Sequence, residues 1–283
     1  MTNHPQTNQL LGYPADARLL IINADDFGMC HSVNAAIIST LGAGIVHSTS
    51  LMAPCPWALQ AMDFLRLHPA IPFGIHLTAI WDADSYTWGP LTCREKVPQL
   101  IDPAGRFHSM QSFPAQLDQA GLDALELEFR AQIEAVLGAG LKPAHLDWHS
   151  LRLDARMDIY DLMLRLAKEY GLALRVTGSQ MRHTVHRLDL PCNDHDLLDS
   201  FSLDPPTKPA RYAQLLHELP PGLSEWAVHP GLDTPELLAL EPAGNHVRQT
   251  DFDFLTSQQA RDIIRQESIA LIDYRSLQVF WRE

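Results

Sequence analysis

Arg18-Leu-Leu-Ile-Ile-Asn-Ala24, followed at once by Asp25 and Asp26, is the stretch that decides the fold. Its apolar run is continuous rather than alternating. That pattern reads as a strand buried on both faces, as in a parallel sheet covered by helices. Working outward, short apolar or β-branched runs recur at 45–52, 71–77, 144–147, 172–176, 225–229 and 269–274. Between them lie helical patterns: from Ser32, read as an N-cap, to Leu41, then 56–67, 122–137, 157–170, 210–219 and 257–267. Strands that alternate with helices along the whole chain predict an α/β fold with a parallel sheet, open or closed into a (β/α) barrel.

The chain has 283 residues, a length that such barrels reach as one domain. The start, 1–17, is polar and rich in Asn, Gln and Pro, so it is read as disordered, and 18–283 as a single catalytic domain. Residues 78–121 hold Trp81, Trp88 and four prolines without sustained periodicity. A long irregular stretch placed directly after a strand end suits an active-site loop.

Hydrophobic residues make up 46% and charged residues 19%, an ordinary globular balance. The formal charge of −13 repels polyanions, so nucleic acid and anionic membrane surfaces are not expected partners. Cys30, Cys55, Cys93 and Cys192 are scattered, with no C-x-x-C pair, and do not form a disulfide framework. The chain start lacks a basic-then-apolar leader, and no run approaches the about 20 apolar residues of a membrane span. The expected setting is the reducing cytoplasm. A homodimer stays open, because an apolar dimer face cannot be told from core in one sequence.

The chemistry-bearing residues cluster at strand ends, where α/β folds place reactive groups. They are Asp25-Asp26, His76, His145 with Asp147, and His229. Singly, each has a plainer explanation: the Asp pair as a helix cap with a first-turn acid, the histidines as satisfied core or turn residues. His145, Asp147 and His149 lie two apart and share one face if extended. Jointly, two imidazoles and a carboxylate from different strands make a mixed nitrogen–oxygen site with positions left open, which is the catalytic rather than the structural pattern. Imidazoles suit zinc or another first-row metal, and the carboxylate also tolerates magnesium, so the one divalent ion is left as Zn or Mg. No P-loop, G-x-G-x-x-G, G-x-S-x-G or H-E-x-x-H motif occurs.

Asn23-Ala-Asp-Asp-Phe-Gly28, Phe73-Gly-Ile-His-Leu-Thr78, Pro143-Ala-His-Leu-Asp147 and His229-Pro-Gly231 resemble, in order, the motifs of the YdjC-like carbohydrate deacetylases, which include chitooligosaccharide deacetylases. Pro90-Leu-Thr92, Gln132-Ile-Glu134 and Arg175 also fall where that family has similar residues. The resemblance implies a distorted (β/α) barrel related to polysaccharide deacetylases and removal of an N-acetyl group from an amino sugar or oligosaccharide. Carried over, it makes Asp25 the base and Asp26, His76 and His145 the metal ligands. The family often continues His-x-Asp-Ser-His-His-x-His. Here the run is His145-Leu-Asp-Trp-His-Ser-Leu-Arg152, which keeps His149, changes two later histidines and bears on substrate choice.

The expected chemistry follows. Asp25 takes a proton from water and His229 gives one to the leaving amine. Arg175 orients Asp25 or contacts substrate, Asp147 or His149 fixes the ligand tautomers, and Trp81, Trp88 and Trp148 either serve packing or stack on a sugar ring. Two alternatives are a metal-dependent hydrolase of another amide or a phosphoester, and a sugar-binding barrel without turnover.

Overall fold

The computed structural model describes residues 6–83, 86–151 and 156–282; Arg152 lies outside them. The strands, in chain order, are β1 (Arg18–Phe27), β2 (Ser48–Leu51), β3 (Phe73–Leu77), β4 (Ile80–Trp81), β5 (His108–Ser109), β6 (His145–Trp148), β7 (Ala173–Leu174), β8 (Leu198–Asp199), β9 (Gly222–Val228) and β10 (Ala270–Leu271). The helices are α1 (Thr7–Leu10), α2 (His31–Ala43), α3 (Ala58–Leu67), α4 (Gln119–Gly138), α5 (Met157–Tyr170), α6 (Gly178–His186), α7 (Lys208–His217), α8 (Pro235–Leu240), α9 (Asn245–Leu255), α10 (Gln258–Gln266) and α11 (Arg275–Trp281).

β1 is buried from Leu19 to Phe27, as its continuous apolar run demands. The strand order is β7-β6-β3-β2-β1-β9-β8, every pairing is parallel, and β10 pairs beside the first residues of β1. The fold is α/β, with the sheet curled into a half-barrel carrying helices. Because the strands are parallel, the C-terminal ends of β1, β3, β6 and β9 open on one rim. Buried Leu19 to Ile22 and Leu223 hold the centre. α5 covers the sheet with Ile159, Leu162, Met163 and Leu166, the three-and-four spacing of an inward helical face.

Several expectations change. In the segment read as disordered, the described residues from 6 onward make tertiary contacts: Thr7 and Asn8 are buried, Thr7 N–H and Oγ1 bond Asp194 and the Cys192 carbonyl, and Asn8 Nδ2 donates to the carbonyls of Pro14, Ala15 and Ala17. Polar composition concealed this docking because the anchors are themselves polar. α2 is preceded by Cys30, not Ser32; the Ser32 hydroxyl lies inside the helix and bonds Glu236 and Thr234. Within 177–206, where no apolar run or helical pattern was read, stand α6 and β8, and α8, α9 and α11 likewise lie outside the patterns read from the sequence.

The 78–121 stretch carries β4 paired to β5 and is tied down by two buried side chains of α4. Gln132 accepts the Thr78 N–H and donates to the Thr78 carbonyl, and Glu128 accepts the N–H groups of Leu91 and Thr92. Polar groups so deeply buried persist because their hydrogen bonds are satisfied. Among the described residues, no helix is long and apolar enough to cross a membrane.

Candidate metal centre

Asp25 and Asp26 end β1, where neighbouring residues normally face opposite sides. Here the register against β2 shifts between Ala24 and Phe27, and Asp26 takes φ 70°. The left-handed conformation is tolerated by Asp at modest cost. Its result is that both carboxylates reach the surroundings of His76.

Asp26, His76 and His149 bring one ligand atom each within 4.8 Å of one another. Asp26 Oδ1 lies 3.4 Å from His76 Nε2 and 3.1 Å from His149 Nδ1. The far nitrogen of each ring meets a second carboxylate: His76 Nδ1 is 2.9 Å from Asp147 Oδ1, and His149 Nε2 is 3.2 Å from Asp82 Oδ1. One nitrogen inward and a carboxylate behind the other is how proteins orient metal-binding imidazoles. The donor set therefore fits a divalent first-row ion. The electrostatics agree. Burial opposes charge on His76, yet Asp147 and Asp25 outweigh it and lift the ring to about 9. Burial opposes charge on His149 too, and Asp82 and Asp26 lift it to about 10. Burial works against the charged form of Asp26, but Arg248 and the two imidazoles hold its carboxyl well below the usual range. A field that holds protons this firmly also favours a cation.

Asp25, His76 and Asp147 form a second group of metal-binding types. Its cation is already supplied by the protein. Arg175 donates to both oxygens of Asp25 at 2.7 and 2.8 Å, approaches Asp147 Oδ2 at 3.0 Å and donates from Nε to Glu225 at 2.8 Å. This bidentate fork fixes Asp25 in place and keeps it ionised, against burial. His229, at the end of β9, turns Nε2 toward Asp25 Oδ2 at 3.9 Å and holds Ser200 Oγ with Nδ1 at 2.8 Å. Trp148, Met110 and Phe201 complete the walls of a cavity of about 840 Å³ onto which Asp26, His76, His149, Arg175 and His229 open. That volume suits a ligand of sugar size.

His145 does not join this centre. The rim lies level with the pairing of His76 and Asp147, whereas His145 pairs in register with Gly74, two residues deeper. At about 3.3 Å per residue, His145 and His149 stand on different levels of the half-barrel. The His145 ring stacks on Tyr274 at 3.7 Å and presses on Gly74, where a Cβ would lie 2.4 Å from it. His149, expected as an orienting group, takes the place at Asp26 that the sequence reading gave to His145. Trp81 and Trp88 are tied to the main chain by their indole N–H groups, and only Trp148 of the three borders the cavity. Asp82, Glu225 and Arg248 were missed. Glu225, an acid inside an apolar strand, was the one with a visible signal.

A family model described as YdjC-like protein matches residues 19–266. The chain belongs to the YdjC-like family. A relative called carbohydrate deacetylase, from Thermoanaerobacter pseudethanolicus, is 30% identical over 260 residues, 92% of this chain and 99% of its own. Another of that name from Enterococcus faecalis is 31% identical, covering 91% and 97% of the two chains. A chitooligosaccharide deacetylase from Yersinia enterocolitica is 33% identical over 176 residues, 62% of this chain and 65% of its own. A solved structure from Enterococcus faecalis V583, provisionally assigned to cellobiose-phosphate cleavage, superposes with a TM-score of 0.81 at 29% identity, covering 92% of this chain and 99% of its own.

Proposed function

We propose that the chain is a metal-dependent hydrolase that removes the N-acetyl group from an amino sugar or oligosaccharide. The observation that carries this reading is the pair of imidazoles, His76 and His149, each with a carboxylate behind it and Asp26 before it, beside an ionised Asp25 that is not needed to hold the ion. The names of the relatives that match nearly the whole chain, carbohydrate deacetylases, support the substrate class.

Asp26, His76 and His149 would hold one divalent ion, Zn or Mg. Bound there, the ion supplies Lewis-acid polarisation of the amide carbonyl and acidifies water. Asp25, held by Arg175, accepts a proton from the attacking water, and the resulting hydroxide oxygen bonds to the acetyl carbon. His229, steadied at Nδ1 by Ser200, delivers the Nε2 proton to the amide nitrogen as the carbon–nitrogen bond breaks. Acetic acid and a free amine are formed, the acid ionising to acetate as its proton passes to the amine or to solvent; the proton gained by Asp25 and the one lost by His229 balance. Trp148 offers a flat wall for a sugar ring.

The test is acetate release from N-acetylglucosamine and N-acetylated chitooligosaccharides, with chelator and with zinc or magnesium restored. Chelator-sensitive release is expected, with Asp25→Asn retaining the metal and losing about 100- to 10,000-fold in kcat. Metal binding with no acetate from any sugar would sink the deacetylase reading. Phosphate release from a sugar phosphate in the same panel would replace it with a phosphoester hydrolase.

A further inference from the structure

Helix α9 reaches the metal centre from a part of the chain where no motif was seen. Arg248 and Asp251 are three residues apart, share one face of it and are both buried. Arg248 Nη2 donates to Asp26 Oδ2 at 2.8 Å while its Nε donates to Glu241. The other oxygen of Asp26, Oδ1, is the one that faces His76 and His149. Arg248 thus occupies one oxygen and leaves one for the imidazole side. Asp251 accepts the main-chain N–H of His229 at 2.8 Å with Oδ2, and with Oδ1 takes Lys208 Nζ at 2.7 Å and the Tyr212 hydroxyl at 2.8 Å. The turn at His229-Pro-Gly231 completes the joint. Gly231 N–H donates to the Arg248 carbonyl at 3.1 Å, and a Cβ on Gly231 would lie 2.9 Å from Arg248 Cβ. The turn needs glycine there because Arg248 and Leu237 both pass so close.

We propose that Arg248 and Asp251 are positioning residues: Arg248 fixes which oxygen of Asp26 faces the metal position, Asp251 fixes His229, and one helix therefore sets the spacing between metal and proton donor. This rests on the deacetylase reading for its second half and on metal binding alone for its first. Two buried charged residues are expensive to desolvate, and here each gives one contact to a group of the site, Arg248 to Asp26 and Asp251 to the His229 main chain, besides the contacts that pack the helix. A guanidinium suits the task because its planar fork serves two carboxylates at once, which an ammonium does less well.

The experiment compares Arg248→Ala, Arg248→Lys, Asp251→Asn and Gly231→Ala in the full chain, with thermal melting to confirm folding. Zinc affinity is read by calorimetry, and kcat and KM by acetate release. Arg248→Ala should weaken zinc binding by about 10- to 100-fold, with Arg248→Lys recovering part of the loss. Asp251→Asn should keep zinc binding within about threefold and lower kcat at unchanged KM. Gly231→Ala displaces Arg248 without removing a charge, so it should weaken zinc binding even if an Arg248 variant fails to fold. Zinc affinity unchanged in the folded Arg248 and Gly231 variants overturns the role of Arg248; unchanged kcat in Asp251→Asn overturns that of Asp251. No zinc binding by the unaltered chain overturns the metal reading and the Arg248 role with it. Zinc binding without acetate release overturns the deacetylase reading and the Asp251 role, and leaves the Arg248 result to stand on zinc alone.

Discussion

Two histidines of one strand run, His149 and His145, share a face and are both buried, yet their surroundings differ completely. His149 stands at the rim with Asp26 on one nitrogen and Asp82 on the other. His145 stands deeper, its ring flat against Tyr274 and over Gly74, with Asp147 Oδ2 at 3.5 Å from Nε2. The rim level collects charge of both signs around a cavity. The lower level is a stacked floor that supports it. Depth along the strand, not residue type or face, separates a ligand candidate from a packing residue, because ligands on one ion must sit within a few ångströms of each other.

The comparison breaks most sharply at His149. Removing a metal-binding imidazole forfeits several kcal/mol of transition-state stabilisation, so His149→Ala should lower acetate release on the order of a thousandfold or more. Metal analysis of the purified variant should show the ion lost or greatly reduced. Full metal content with full activity would mean that the rim imidazole is not a ligand, and the distinction between the two levels would fall. A smaller effect is expected one contact further out. Asp82→Asn removes the carboxylate charge behind His149, and such orienting partners are worth about 10- to 100-fold in metal affinity. Competition with a chromogenic chelator reads this directly. An affinity equal to that of the unaltered chain would show that Asp82 is only a surface partner of the 78–121 stretch.

The parts of this arrangement visible in the sequence are those built on β-periodicity. β1, β3 and β6 announce themselves as apolar runs, and their polar ends, Asp25-Asp26, His76 and the His145–His149 run, mark one rim. Periodicity gives the face of a strand but not the height at which its neighbours end, which requires the pairing of His76 with Asp147 and Gly74 with His145. That is why periodicity alone gave no means of choosing between His145 and His149. α9 was invisible for a different reason. Its buried face includes Asn245, Arg248 and Asp251, so the inward stripe is not apolar and the helical pattern does not show. Residues 6–17 hid in the same way, anchored by Thr7 and Asn8 rather than by hydrophobes. Asp82 had no local signal: it lies in an irregular segment and acts through a contact with a residue far along the chain.

The smallest effect on activity is expected at the floor, and it tests the comparison from the other side. His145→Gln keeps a polar side chain of similar length but gives up the ring that stacks on Tyr274 and fills the space over Gly74. Loss of well-packed contacts in a core of this kind costs about 1–3 kcal/mol of stability. Thermal melting should therefore shift downward, while zinc affinity and the kcat for acetate release stay within about threefold, since the residue touches neither ion nor substrate. The argument turns on the separation of the two readouts. A floor residue moves stability and leaves metal binding alone. If His145→Gln folds with a near-normal melting temperature and has lost its zinc, then His145 reaches the ion after all. The half-barrel would then have to place its metal a full level deeper than the rim.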